Sequence, residues 1–191
     1  MGKIFRSAVL IAVFLSIASL AIAGENSKPL QLSLFSPVAI LSEDQSVHGL
    51  RLNFIYGSNQ DVVGLDIGLV NRVNGNLHGY EYGAINYVEG DVIGGQNGIL
   101  NWVKGSVNGG QGGFVNIIDG DINGIQGGAV NWAKEVYGAQ IGGVNIADSV
   151  EGFQLGIVNW TGDLDGLQIG LVNVATRKEI LKGMVFVNAA W

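Results

Sequence analysis

Leu164-Asp165-Gly166-Leu167-Gln168-Ile169-Gly170-Leu171-Val172-Asn173-Val174 is the clearest copy of a unit that recurs through most of the chain. Its pattern is h-x-G-h-Q-h-G-h-V-N-h, with h an apolar residue, followed by a short polar stretch. Asn71, Asn86, Asn101, Asn116, Asn131, Asn145, Asn159, Asn173 and Asn188 mark it, at steps of 15, 15, 15, 15, 14, 14, 14 and 15 residues. A second column, Gln96, Gln111, Gln126, Gln140, Gln154 and Gln168, is preceded by Asp66 and Glu81. A fixed period of this length means that each unit is one structural element, burying surface only against its neighbours.

Within a unit the residues alternate with period two: Leu167, Ile169 and Leu171 take one face, and Gly166, Gln168, Gly170 and Val172 the other. Each unit therefore reads as strand. A parallel solenoid must bend at least twice per coil, yet each unit has one polar stretch, such as Asp119-Gly120-Asp121. The only other place for a bend is Ile-Gly-Leu-Val, an apolar corner in water. The spacing thus predicts an all-β, antiparallel up-and-down meander with one strand per repeat. Loops of four and three residues absorb the 15- and 14-residue periods and keep the facing constant. Residues 62–72, 77–87, 92–102, 107–117, 122–132, 136–146, 150–160 and 164–174 give eight strands. Residues 48–57 and 182–191 bring the count to ten, and an even count permits closure into a barrel without exposed edges. The alternative is a parallel β-solenoid, in which recurrent amides stack in register.

Residues 1–23 carry Lys3 and Arg6 ahead of an apolar run from Ala8 to Ala21, then Ala21-Ile22-Ala23 before Gly24, the three marks of a cleaved secretory signal. Residues 24–47 form a leader segment and 48–191 a single β domain. Removing the signal leaves eight basic against sixteen acidic residues, and only Arg177 and Lys178 are adjacent among the remaining cations, which argues against a nucleic-acid partner. With no cysteine the chain has no disulfide, thiolate metal site or cysteine nucleophile. Its 31 glycines and 14% charged residues separate it from ordinary soluble enzymes, and its wealth of Val, Ile, Gly and Asn agrees with an all-β chain.

Strands of about ten residues tilted by about 40° would cover ~25 Å, the height of an outer-membrane apolar band. Outer-membrane lipid is the expected partner on this reading, and a periplasmic or secreted location is the alternative. Against the membrane, the supposed lipid face contains Asn108, Gly110 and Gly112, and Trp102, Trp132 and Trp160 share parity with the Gln column rather than the outward face.

No cofactor or metal is expected. The acidic turns at Asp119, Asp121, Asp163 and Asp165 suggest calcium, but Gly109-Gly110-Gln111-Gly112-Gly113-Phe114 has Phe where a calcium-binding nonapeptide needs Asp. His48 and His78 are the two histidines, and no Gly-x-Ser-x-Gly elbow accompanies them, so catalysis is not expected. The Gln and Asn columns read as structural, since primary amides satisfy one another where polar groups are buried.

The tandem GLQIGLVN-like units resemble those of bacterial exported "surface repeat" proteins, over residues 62–188, and the segments 29–37 and 49–53 are similar as well. The resemblance implies an envelope or surface protein with no active site to carry over. Asn97, Gly112 and Gly127 depart from it, standing where the unit usually has an aliphatic residue.

Overall fold

The computed structural model describes residues 27–179 and 182–191; the signal segment and its cleavage site lie outside them. All regular structure among these residues is β. Strands β1 (Ser27–Phe35), β3 (Ser46–Asn59), β4 (Val62–Val73), β5 (Leu77–Tyr82), β6 (Ile85–Val88), β7 (Val92–Val103), β8 (Val107–Ile118), β9 (Ile122–Leu155) and β10 (Val158–Ala175) stack in one sheet. They pair in parallel, in register with the repeat: Val92 with Val107, Gln96 with Gln111, Asn101 with Asn116. Two antiparallel additions end the stack. The short β2 (Val38–Ala39) folds back on β1, and β11 (Gly183–Ala190) runs against β10.

This is a parallel β-solenoid, and it overturns the expected meander. Trp102 lies beside Ile117 on a parallel neighbour, where a meander would send the two to opposite ends. The ten-stranded barrel is not formed, and the outer-membrane reading loses the geometry on which it rested. Each repeat is one coil of two strand segments, seen most plainly where β5 and β6 both pair with β4 and β7.

The second bend lies at the position judged implausible. Around Leu69 and Val70, and their equivalents in every coil, two consecutive side chains point outward, so the parity of burial switches and the chain turns. Glycine makes the turn possible: a Cβ on Gly98 would sit 2.4 Å from the Gly83 carbonyl oxygen and 2.8 Å from the Asn86 amide. The switch also explains the tryptophans. Trp102, Trp132 and Trp160 share sequence parity with the glutamines but face outward, because the corner lies between them.

A second backbone feature sits early in each coil. Gly109 has φ 138°, and a Cβ there would stand 1.9 Å from the Gly94 carbonyl oxygen, so only glycine allows successive coils to approach at this point. At the loop edge a staircase of side chains joins the coils. Asp61 Oδ1 accepts from the Asn76 amide, Asn76 Oδ1 from Asp91, and Asp91 Oδ1 from Ser106, each at 2.8 Å. Ser106 Oγ accepts from Asp121 at 3.1 Å. The staircase stops where the period drops to 14, and the buried Asp121 Oδ1 has no partner.

The interior divides in two. Next to the loop edge it is apolar, with Val62, Leu77, Val92, Val107 and Ile122 facing Val73, Val88, Val103 and Ile118. Next to the opposite edge it is filled by the amide columns.

Candidate functional site

The structure places all the expected column residues in the polar half of the interior. Asn71, Asn86, Asn101, Asn116, Asn131, Asn145, Asn159 and Asn173 form one line, and Gln96, Gln111, Gln126, Gln140, Gln154 and Gln168 the other, all buried. Asn188 does not continue the first line. It lies on the antiparallel β11 opposite Gln168, and its amide donates to Gln168 Oε1 at 2.9 Å.

The two lines are hydrogen-bonded ladders of opposite polarity. Each Asn donates toward the C-terminal end, from Asn71 Nδ2 to Asn86 Oδ1 (3.0 Å) through to Asn159 Nδ2 and Asn173 Oδ1 (2.7 Å). The second amide hydrogen of each goes to a carbonyl at the neighbouring corner, such as Gly112 O for Asn101. Each Gln donates toward the N-terminal end, from Gln168 to Gln154 (2.7 Å) down to Gln111 and Gln96 (2.8 Å). Gln126, Gln140 and Gln168 also reach across the coil to the carbonyls of Trp132, Ile146 and Val174. The amides thus satisfy one another and the backbone, as buried polar groups must.

Both ends of the glutamine ladder are charged. At the C-terminal end Lys178 Nζ donates to Asn188 Oδ1 at 2.8 Å. At the N-terminal end Gln96 Nε2 donates to Glu81 Oε2 at 2.6 Å, and the column continues as Glu81, Asp66, Arg51 and Gln31. Arg51 grips Asp66 through Nε and Nη2, and Nη2 lies 3.8 Å from Glu81 Oε1. These three side chains are fully buried. One cation faces two carboxylates, and burial together with the Asp66 charge holds the Glu81 carboxyl well above its usual range, against the opposing pull of Arg51 and Gln96. A protonated Glu81 leaves a neutral Arg51–Asp66 pair. Arg51 and Gln31 extend the column beyond the residues that the amide and carboxylate pattern marks. Arg51 stands 15 residues before Asp66, as Asp66 does before Glu81, and that spacing was the available signal.

His48 and His78 line one shallow depression of about 230 Å³ with Asp61, Val63 and Asn76. Ser46 Oγ donates directly to Asp61 Oδ2 at 3.3 Å, an order that puts no base between hydroxyl and carboxylate.

The outer surface over the amide columns is apolar. Four outward columns wrap that edge, beginning at Leu65, Ile67, Leu69 and Val70 and ending at Leu167, Ile169, Leu171 and Val172, and they contain no charged residue. Along the corner Leu69, Ile99, Phe114, Ile157 and Leu171 are exposed by 51 to 64%. The edge is inverted relative to a usual domain, amides inside and hydrocarbon outside. In its middle the side chains shrink to Gly95, Gly110, Gly112 and Gly127, leaving beside Tyr80 and Tyr82 a trough of about 340 Å³. Comparison of the chain with family models, curated proteins and solved structures finds no match.

Proposed function

We propose that the chain is a non-enzymatic interaction module, an exported rigid rod that works at the cell envelope or surface by binding through its apolar corner edge. The observation that carries this is the charge-free edge itself. Its four columns run about 40 Å along eight coils, and a patch of that extent exceeds the few hundred Å² usual on a monomer that binds nothing. All the acidic residues of the array sit elsewhere, in the loops, inside, or, as Glu151 and Asp165, on the outward face of the strand just after the loop. The carboxyls of Glu81 and Asp66 are sealed in the core with Arg51. Export, and kinship with the surface-repeat proteins, rest on the signal-like residues 1–23 and the repeated unit.

The test is site-specific photo-crosslinking in the expressing cell, with the probe at Phe114 on the corner or at Asn123 on the other side of the coil. Adducts concentrated at position 114 are expected. Equal yields at both positions, or none, would overturn the reading.

A further inference from the structure

The surface beside the corner holds a second alternation, visible only once the coils are stacked. On the short strand segment the outermost column reads Tyr87, Trp102, Ile117, Trp132, Ile146, Trp160, Val174, one residue per coil. The tryptophans are exposed, while Ile117, Ile146 and Val174 are half-buried, so from Trp102 onward knobs and gaps alternate every ~4.8 Å. Two residues further along, five successive coils carry a charge, Glu89, Lys104, Asp119, Lys134 and Asp148, all exposed, and the coils on either side carry Asn74 and Gly162. Over the four central coils the charges change sign in step with the knobs: Trp102 and Trp132 travel with Lys104 and Lys134, Ile117 and Ile146 with Asp119 and Asp148. Between the knob column and the corner runs a flush, half-buried line that includes Val115, Val130, Val144 and Val158.

From this pattern we infer that the face is a self-recognition surface, on which two copies of the chain pair antiparallel about a two-fold axis lying across the rod between the coils of Ile117 and Trp132. The inference rests on the interaction reading above and places a second copy on the face that adjoins the corner edge and shares its Val115 line. Such an axis returns each column onto itself with the coil order reversed. Trp132 then meets Ile117 of the second copy, and Trp102 meets Ile146, so the four central coils set knob into gap, while Trp160 meets the half-buried Tyr87. Lys134 faces Asp119 and Lys104 faces Asp148. A parallel pair would instead set tryptophan on tryptophan and like charge on like charge. Within one copy Asp119 already accepts from the Trp102 indole at 3.3 Å, and Lys104 lies 5.9 Å above that ring, so both charges stand at the rim of the knob they serve. From corner to loop over eight coils the face measures roughly 40 by 17 Å, about 1,400 Å² for the pair, within the span of specific interfaces. Charge complementarity at its rim and apolar knobs at its centre match the usual anatomy of such a surface.

The experiment is sedimentation of the full mature chain up to about 100 µM, followed by a charge swap. The wild type is expected to form dimers. K104E/K134E and D119K/D148K each give a column of nearly one sign and should weaken self-association at least tenfold, while their equimolar mixture should restore dimers. I117W, which sets knob against knob, should also dissociate the pair. All the charge-swapped positions are exposed, and an unchanged β-type circular dichroism spectrum and melting temperature establish that each variant is folded. A folded wild type that stays monomeric, variants that dimerise as well as wild type, or a mixture that stays monomeric would each overturn the inference. Photo-crosslinks from Phe114 to a different protein alongside a monomeric wild type would sink the self-pairing while sparing the interaction module.

Discussion

Gln96 donates its amide to the Glu81 carboxyl at 2.6 Å, and this contact joins six stacked glutamines to the only stretch of that column made of charged residues. The ladder needs an acceptor at its N-terminal end, and Glu81 supplies one while sharing its interior with Asp66 and Arg51. Buried groups of this kind couple the fold to pH.

The folded Glu81 carboxyl titrates well above its ordinary value of 4.5, so the folded chain holds a proton that the unfolded chain has released. Stability from this group is complete below about pH 4.5 and is lost as the pH rises through the window above it, at most about 1.4 kcal/mol per pH unit. Glu81→Gln keeps the acceptor for Gln96 and removes the titration. Thermal melts between pH 5 and pH 8 should show the variant's melting temperature rising relative to the wild type's as pH rises; a variant that falls relative to the wild type over that range would contradict the assignment.

Gln126→Leu strands three buried groups: Gln111 Oε1, Gln140 Nε2 and the Trp132 carbonyl. At about 1–3 kcal/mol for each buried polar group left unpaired, partly relieved by relaxation, a loss of roughly 3–5 kcal/mol is expected. Denaturant unfolding measures it. Because solenoid stability is a sum over neighbouring coils, protection from hydrogen exchange should fall first in the coils beside residue 126.

Two glycine-to-alanine changes separate the roles of the glycines. At Gly109 a methyl group meets the Gly94 carbonyl oxygen at 1.9 Å from a backbone with φ 138°, and a cost of about 3 kcal/mol or more is expected. At Gly127 nothing lies within 4 Å of the new methyl. There the substitution should be neutral, or stabilising by up to about 1 kcal/mol through the unfolded chain. Equal melting temperatures for the two variants would refute this distinction.

The loop staircase makes a finer comparison. Asp91→Ala removes the acceptor for the Ser106 amide and should cost about 1 kcal/mol. Asp121→Ala removes a carboxylate whose Oδ1 has no partner and should cost less, or stabilise. Paired urea titrations decide the order.

Much of this molecule could be read from its residues. The period placed the asparagines and glutamines in columns, and the all-β character followed from alternation and composition. Arg51 and Gln31 are not legible from residue type, because the column is defined by position: guanidinium, carboxylates and amides occupy equivalent places in successive coils. Asn188 shows the converse, a residue of the right type at the right interval that the reversed β11 carries to the glutamine ladder.

What the amino-acid order determined by itself was the repeat, its length and the residues that share a column. Strand direction was left to the tertiary structure. A 15-residue unit with one polar loop suits either one long strand of a meander or one coil bent in the middle, and local alternation is the same on both sides of the bend. The choice depends on whether an apolar Ile-Gly-Leu-Val corner can exist, and that is settled through space. The corner glycines admit the preceding coil's carbonyl, the asparagine of one coil bonds the corner backbone of the next, and amides of equivalent positions meet only when coils stack in parallel. Those contacts join residues 11 to 15 apart in sequence, in a direction that no single unit specifies.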